Sequence, residues 1–261
     1  MHPVLFSIGG FDFVASPVFA GLGAILAFLY VRREKGYPGL SEEGLWDLLL
    51  LLALGTLAGS FAMYFFFYGG GVARNLPRIW SRGFCTSGAF YGAYWGAMAG
   101  CLAASRWRSS SFRKVADIVA NAAPLGLSLT RVGCLLQGCC HGKITTSPVY
   151  IVFMDPRSSV RHGMLHMPLH PTQVYEAAGA LLIFLFAHHF VLARSKRNEL
   201  PAGYSFAATT ILYAALRFCT DFLRGKDPGT FQPFGLTTAQ VVSVMGAALA
   251  FGLALRWKRA S

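Results

Sequence analysis

The sequence predicts an all-α fold, a polytopic membrane helical bundle of about seven transmembrane helices. Apolar residues make up 54% of the 261 residues and charged residues only 13%, against a usual charged share of about 25%. The apolar residues are gathered in blocks of about 20, the length that crosses a hydrocarbon layer as a helix. Lys and Arg lie mainly in short clusters between those blocks. This composition excludes disordered, collagen-like and disulfide-scaffold classes.

The apolar blocks define the predicted spans. Their bounds are 14–31, 45–68, 84–104, 116–136, 172–193, 202–223 and 237–255. No internal repeat or low-complexity linker is evident, so residues 1–261 are predicted to form a single integral membrane domain. The run Met1 to Ser16 holds no Lys or Arg, so we expect the first apolar block to be retained rather than cleaved as a signal peptide.

Four alternate connections carry the basic clusters. They contain Arg32, Arg33 and Lys35; Arg106, Arg108, Arg113 and Lys114; Arg194, Lys196 and Arg197; and Arg256, Lys258 and Arg259. The positive-inside tendency then places the C-terminus in the cytoplasm and the N-terminus outside. The net charge of +12 is therefore a topology signal, and we expect no nucleic-acid partner because the basic residues form no separate face.

Ionisable residues inside a span are costly, at least about 2.5 kcal/mol at the bilayer centre, so they usually face a partner or a wet cavity. In the sixth span, Tyr213, Arg217, Asp221 and Arg224 are spaced four, four and three residues apart, which places them on one helix face. A structural ion pair would explain Asp221 and one arginine. The second arginine leaves a cation uncompensated, which favours an anionic ligand.

Arg131 lies near the end of the fourth span, by the same outer boundary. Guanidinium groups suit phosphate because their planar fork donates two parallel hydrogen bonds and is weakly hydrated. Two buried arginines near the outer leaflet therefore predict a phospholipid head group drawn into the bundle.

The fifth span opens with a polar stretch, His170-Pro171-Thr172-Gln173-Val174-Tyr175-Glu176. Proline at the first helical position predicts His170 as the N-cap, with Gln173 at the third position and Glu176 one turn deeper on the same face. A capped helix start explains Pro171 and Gln173. It does not explain Glu176, which should need a partner such as Arg131 or Arg217.

Six cysteines include no CxxC pair, so a thioredoxin-like dithiol is disfavoured. We expect no metal site and no cofactor, because the adjacent Cys139 and Cys140 chelate one zinc awkwardly and no second ligand pair has a convincing spacing. Packing of small apolar thiols is favoured, and a disulfide from Cys134 to Cys139 or Cys140 stays open. Histidines recur every four residues at His162, His166 and His170, but Pro168 breaks any helix that would align them.

Glycine recurs every four residues in the third span. Gly88, Gly92, Gly96 and Gly100 leave a flat strip where another helix or a lipid chain can approach closely. Helix packing is the favoured interpretation.

Four ordered stretches of the sequence point to a family. They are Met1 to Phe6, Arg131 to Lys143, His170 to Glu176, and Tyr213 to Arg224 with Asp227. Together they resemble the prolipoprotein diacylglyceryl transferases, in the branch with a Gly-Cys-Cys-x-Gly string after the fourth-span arginine. Each stretch alone is weak, but the ordered set is specific and extends over nearly the whole chain.

This resemblance implies a bacterial inner-membrane enzyme with seven spans that moves the diacylglyceryl group of phosphatidylglycerol onto the lipobox cysteine thiol of prolipoproteins and releases glycerol 1-phosphate. Its expected partners are phosphatidylglycerol, prolipoprotein signal peptides with a lipobox cysteine, and membrane lipids. By the same resemblance, Arg131 contacts phosphatidylglycerol, Arg217 is the essential sixth-span arginine and Tyr213 is functionally important. The expected catalytic residues are Arg217, Tyr213, His170 and Glu176, and the expected substrate-binding residues are Arg131, Ser87, Gly88, Gln173 and Arg224.

The sequence also departs from the family pattern. Ser87-Gly88-Ala89 stands where many members have His-Gly-Gly, Ser60 where an arginine is expected, and Cys134 where another branch has asparagine. Serine is a poor base near neutral pH, so the thiolate forms with another base, such as His141, His170 or Glu176, or through the arginine field alone. Two alternatives to the transferase stay open: a non-catalytic lipid- or lipoprotein-binding relative, and a membrane thiol oxidoreductase.

Overall fold

A computed structural model describes residues 2–67, 90–161, 163–224 and 235–259. Within these ranges a short β-hairpin precedes a set of helices, so the predicted helical fold class is confirmed. The strands are β1 (Val4–Ile8) and β2 (Phe11–Val14), and the helices are α1 (Ala15–Glu34), α2 (Glu42–Phe67), α3 (Phe90–Trp107), α4 (Phe112–Gln137), α5 (Thr172–Lys196), α6 (Tyr204–Leu223) and α7 (Thr238–Arg259).

Six of these helices are long and apolar enough to cross a membrane: α1, α4, α5, α6, α7 and the Glu42–Ala62 part of α2. They correspond to six of the predicted spans, and the chain is a polytopic helical membrane protein. The seventh predicted span, 84–104, corresponds to α3, and its residues before 90 lie outside the described ranges. The direction in which the helices cross the membrane stays a prediction, as does the single domain.

The N-terminal hairpin was not predicted. β1 pairs antiparallel with β2, and Gly9 and Gly10 form the turn with φ of +59° and +83°. Two glycines with positive φ are typical of the tight turns that match the twist of hairpin strands. The backbone N–H of Ala15 then donates to Pro3 O at 2.9 Å, which joins the hairpin to the start of α1.

Glycines let two pairs of helices approach closely. A Cβ atom added to Gly96 on α3 would lie 2.0 Å from Gly55 O on α2, and one added to Gly23 on α1 would lie 2.4 Å from Gly126 O on α4. Gly92 and Gly100 also pack against the backbone of α2. The glycine strip of the third span is therefore a helix-packing surface, as the sequence favoured, and Gly88 lies outside the described residues.

The Gly96 contact gives a stability prediction. We expect Gly96→Ala to lower the free energy of unfolding by about 1–3 kcal/mol, because its methyl group meets backbone and the two helices must separate. The matched control is Gly252→Ala on α7, where no atom lies within 4 Å of the added Cβ. Thermal unfolding in detergent should show a lower midpoint for the first variant only. Equal midpoints would contradict the close α2–α3 packing.

A buried polar network fixes α6 against α4 at the end of the bundle away from Arg131. Asp117 accepts hydrogen bonds from the backbone N–H groups of Gly203 and Phe206, both at 2.8 Å, and so satisfies the start of α6. Asn121 Oδ1 accepts from the hydroxyl of Thr209 at 2.8 Å. This network, which sequence reasoning missed, lies 14 residues, or about 21 Å, along α4 from Arg131. It therefore sets the position of α6 relative to the α4 arginine.

Candidate functional site

The site lies where the C-terminal ends of α4 and α6 meet the N-terminal end of α5. Arg131 is six residues before the last residue of α4, Arg217 is six before the last of α6, and Glu176 is four after the first of α5. At 1.5 Å rise per residue, all three side chains start about 6–9 Å inside their helix ends. Three helices thus bring these groups to a similar depth.

The Glu176 carboxylate is the centre of the site. Its Oε2 lies 2.7 Å from a terminal nitrogen of Arg131, and its Oε1 lies 3.0 Å from Arg217 and 3.7 Å from Arg224. Only 1% of the Glu176 side chain is exposed, against 11% for Arg131 and 13% for Arg217. The prediction that Glu176 pairs with Arg131 or Arg217 is confirmed, and it pairs with both.

A second carboxylate steadies Arg217. Asp221, one turn further along α6, lies 3.1 Å from the other terminal nitrogen of Arg217 and accepts a hydrogen bond from the hydroxyl of Thr237. The guanidinium group of Arg217 is therefore held between two carboxylates on α5 and α6, as its fork geometry allows.

Arg224 does not lie on the helical face predicted for it. It follows the last residue of α6 with φ −81° and ψ 147°, an extended conformation, and forms an isolated β-bridge with Gly142. The helix ends first because the backbone of Arg224 pairs with the loop after α4 instead. Its guanidinium group still reaches the site, where it donates to Cys140 O at 3.4 Å and approaches Glu176.

The site carries more cation than anion. Among the described residues, three guanidinium groups surround two carboxylates, those of Glu176 and Asp221. Within the same residues, the buried Nε of Arg131 and the buried Oε1 of Gln173 have no hydrogen-bond partner, nor does Nδ1 of His170. Buried polar atoms in proteins are normally satisfied, so these unpaired atoms indicate a ligand with both acceptor and donor groups.

The loop after α4 forms one wall of the site. Helix α4 ends at Gln137, and the next residue, Gly138, has a φ of +84° that reverses the chain. Gln173 Nε2 donates to Cys139 O and Thr172 Oγ1 donates to Cys140 O, both at 2.8 Å. A Cβ added to Gly142 would lie 2.5 Å from His170 Cβ, so the loop can pass here only as glycine. Thr172 is a site residue that sequence reasoning missed.

The start of α5 differs from the prediction by one residue. The N-cap is Pro171, with φ −78° and ψ 61°, and not His170, and no side chain caps the helix. His170 is drawn away because its backbone N–H donates to Lys143 O and its C=O accepts from Gly142, both at 3.0 Å. This pairing holds His170 against the loop after α4 rather than inside the helix.

Tyr213 lies one turn before Arg217 on α6 and is buried. It lines a small cavity between α3, α6 and α7, together with Tyr94, Thr210 and Ser243. Tyr94 and Thr210 share a hydrogen bond of 2.6 Å between their hydroxyl oxygens. Tyr213 thus borders a space inside the bundle, one turn along α6 from Arg217.

Three of the cysteines converge beside the arginines. Cys134, Cys139 and Cys140 are free thiols, and their sulfur atoms all lie within 4.8 Å of one another. The pKa of the Cys140 thiol is lowered, because the thiols of Cys134 and Cys139 hydrogen-bond to its sulfur and Arg224 and Arg131 add positive charge. The disulfide that the sequence left open is not formed in this structure.

Three further predicted positions are Ser87, Gly88 and His141. Ser87 and Gly88 lie outside the described residues, so their predicted role in substrate binding stays a prediction. His141 lies in the loop wall, where Nδ1 donates to Gly142 O at 2.9 Å and Nε2 accepts from the backbone N–H of Arg161 at 3.4 Å. Both ring nitrogens of His141 are therefore occupied.

Comparison with known proteins shows the family of the chain. Residues 3–256 match the model of a family described as prolipoprotein diacylglyceryl transferase. A phosphatidylglycerol–prolipoprotein diacylglyceryl transferase of Geobacter sulfurreducens is 31% identical over 87% of this chain and 84% of its own length. Enzymes of the same name from Clostridium tetani (28% identical, 94% of this chain, 93% of the relative) and Solidesulfovibrio magneticus (30%, 99% and 94%) are also similar. With its arginine-lined site and a family match over nearly its whole length, the chain belongs to the prolipoprotein diacylglyceryl transferase family.

Proposed function

We propose that this protein transfers the diacylglyceryl group of phosphatidylglycerol to the lipobox cysteine thiol of prolipoproteins in the inner membrane of a bacterium. The observation that carries the proposal is the shared carboxylate of Glu176, around which three arginines, one buried and two partly buried, leave an excess of positive charge. The names of the similar enzymes supply the two substrates, and the positive-inside pattern of the sequence favours the outer face for the site.

The arginines act on the leaving group. Transfer breaks the bond between a lipid carbon and a phosphate oxygen, and the departing glycerol 1-phosphate gains negative charge. Guanidinium groups of Arg131 and Arg217 that are already in place stabilise this developing charge more than the starting diester, which lowers the barrier. Glu176 holds both arginines in position, and Arg224 adds a third positive charge beside the loop wall.

Gln173 and Tyr213 would contact the parts of the lipid other than its phosphate. Gln173 Oε1, which is buried without a hydrogen-bond partner among the described residues, would accept from a hydroxyl of the glycerol head group. Tyr213, one turn before Arg217 on α6, borders a small cavity inside the bundle, and we expect its phenol to lie beside the reacting end of the diacylglyceryl group.

The thiol of the substrate protein has to lose its proton before it attacks. Both oxygens of the Glu176 carboxylate are held by guanidinium groups, Oε2 by Arg131 and Oε1 by Arg217 and Arg224, so neither is free to take the proton. Both nitrogens of His141 are occupied, whereas Nδ1 of His170 has no partner among the described residues. We therefore assign His170 as the base and Glu176 as a positioning residue.

A transfer assay with purified protein tests the proposal. Protein in phosphatidylglycerol vesicles is mixed with a synthetic lipobox peptide, and we expect diacylglyceryl peptide and glycerol 1-phosphate to form in equal amounts. Vesicles of phosphatidylethanolamine serve as the control and should give no product. Peptide binding without product would instead favour the non-catalytic relative, and oxidation of the peptide thiol would favour the oxidoreductase.

A further inference from the structure

The thiol cluster of Cys134, Cys139 and Cys140 has no part in the function proposed above. Its three sulfur atoms lie within 4.8 Å of one another, at the end of α4 and beside the arginines. Burial decreases along the cluster, since Cys134 is buried, Cys139 is partly exposed and Cys140 is exposed. The cluster therefore opens toward the outside of the bundle on its Cys140 side.

The backbone holds the sulfur atoms together without a bond between them. Gly138 and Cys140 both have positive φ, +84° and +59°, and these two reversals turn the chain back over the last turn of α4, where Cys134 lies. The carbonyl groups of Cys139 and Cys140 are fixed by hydrogen bonds from Gln173 and Thr172. Because Cys139 and Cys140 are neighbours in the chain, the sequence predicted that they chelate one zinc ion awkwardly. The folded backbone nevertheless brings both of their sulfur atoms to the same side as that of Cys134.

The distances suit a tetrahedral ion. Zn²⁺ binds thiolate sulfur at about 2.3 Å, so sulfur atoms around one zinc lie about 3.8 Å apart. Side-chain movements of about 1 Å would bring the three sulfur atoms from their present separations to that value.

The charges also balance. Three thiolates and one Zn²⁺ form a unit with a net charge of −1, which Arg131 and Arg224 would stabilise rather than repel. A set of neutral imidazoles would bring no negative charge and leave the ion repelled by those arginines. The surroundings therefore favour a thiolate-bound ion.

We propose that Cys134, Cys139 and Cys140 bind one Zn²⁺ ion whose fourth position takes the thiol of the prolipoprotein substrate. The described residues supply no fourth side-chain ligand within the cluster, and His141 is excluded because both its ring nitrogens are hydrogen-bonded. An open fourth position distinguishes zinc sites that act on a substrate from closed structural sites. The role for the substrate thiol rests on the proposed transferase function.

The step balances in atoms and charge. When the substrate sulfur binds zinc, its pKa falls and its proton passes to His170. The sulfur electron pair then forms the bond to the lipid carbon, while the carbon–oxygen bond breaks and its electron pair leaves on glycerol 1-phosphate. The thioether product is a weaker zinc ligand than a thiolate and can dissociate.

Cobalt binding tests the site without an activity measurement. The full chain is reduced, stripped of metal with a chelator and titrated in nanodiscs with Co²⁺ alone. We expect one ion per chain and thiolate-to-cobalt charge-transfer absorption, which Zn²⁺ abolishes by displacement. Cys134→Ser, Cys139→Ser and Cys140→Ser should each weaken binding at least about a hundredfold, because each removes one ligand.

Two cysteines away from the cluster provide matched controls. Cys101→Ser on α3 and Cys219→Ser on α6 should bind Co²⁺ as the unchanged protein does. No binding by the reduced wild-type protein, or binding that survives all three cluster substitutions, would overturn the proposal. If a cluster variant fails to fold, Co²⁺ binding by the reduced wild-type protein tests the proposal without that variant.

A separate experiment tests whether the substrate thiol takes the fourth position on the ion. Adding the lipobox peptide to the Co²⁺ form should raise the charge-transfer absorption by about a third, as a fourth thiolate joins three, and a peptide with serine for cysteine should not. An unchanged spectrum would remove the open-site role. Arg217→Ala separates the two proposals, since it should keep cobalt binding and lose transfer. Metal-free protein with full transfer activity would overturn the zinc role and leave the proposed function intact.

Discussion

Arg217→Ala should lower the rate of diacylglyceryl transfer at least about a hundredfold, the scale expected for removal of one preorganised donor to a developing oxyanion. Arg217 donates from two terminal nitrogens, and its held position depends on Glu176 and Asp221. The loss should fall on kcat as well as on kcat/KM, because the lost interaction is strongest in the transition state. Rates are measured by glycerol 1-phosphate release from phosphatidylglycerol vesicles.

Two further variants test whether this loss of rate is specific to the guanidinium group of Arg217. Arg217→Lys keeps the charge but loses the fork that spans two carboxylates, so we expect it to recover only part of the rate. The control is Arg197→Ala, just after the last residue of α5 and far along that helix from Glu176. Arg197 is exposed and pairs with Glu199, so this variant should keep the wild-type rate. If Arg217→Ala retains full activity, the arginine has no part in stabilising the leaving group.

Glu176→Gln should produce the largest loss of stability of any single site substitution. It removes the carboxylate that pairs with Arg131, Arg217 and Arg224, and leaves these buried cations facing one another. Breaking a buried pair by removing one partner costs about 3–5 kcal/mol, since the remaining charge stays buried without compensation. The thermal unfolding midpoint in neutral detergent reports this loss.

An anionic ligand should partly offset that substitution. Because the unpaired arginines then attract phosphate more strongly, phosphatidylglycerol should raise the midpoint of Glu176→Gln more than that of the wild-type protein. Glu199→Gln is the matched control, since it breaks an exposed ion pair with Arg197, and its midpoint should not change. A Glu176→Gln midpoint equal to that of the wild type would contradict the central position of this carboxylate.

Charges inside apolar blocks were the most informative part of the sequence. Arg131, Arg217 and Glu176 each stood out because a lone charge in a span needs a partner, and helical spacing gave their depth and face. Their convergence follows from the alternation of helix directions, since the ends of α4 and α6 and the start of α5 lie at the same side. Composition and block length were likewise sufficient for the helical membrane fold.

What sequence reasoning missed depends on contacts between distant segments or on short backbone signals. Cys139 pairs with Gln173 and Cys140 with Thr172, more than 30 residues apart, and no local pattern indicates such contacts. The backbone pairing of His170 with Gly142 and Lys143, also between distant segments, moved His170 out of the helix cap. In contrast, Gly9 and Gly10 are a readable hairpin signal that was passed over in an all-α interpretation.

The central claim is that Arg131 and Arg217 bind the lipid phosphate together. The most direct measurement is an experimental structure of the protein in phosphatidylglycerol nanodiscs. We predict a lipid phosphate whose oxygens lie about 2.7–2.9 Å from guanidinium nitrogens of both arginines, with one of them near the unpaired Nε of Arg131. A head group bound elsewhere, with both arginines still paired only to Glu176 and Asp221, would contradict the account.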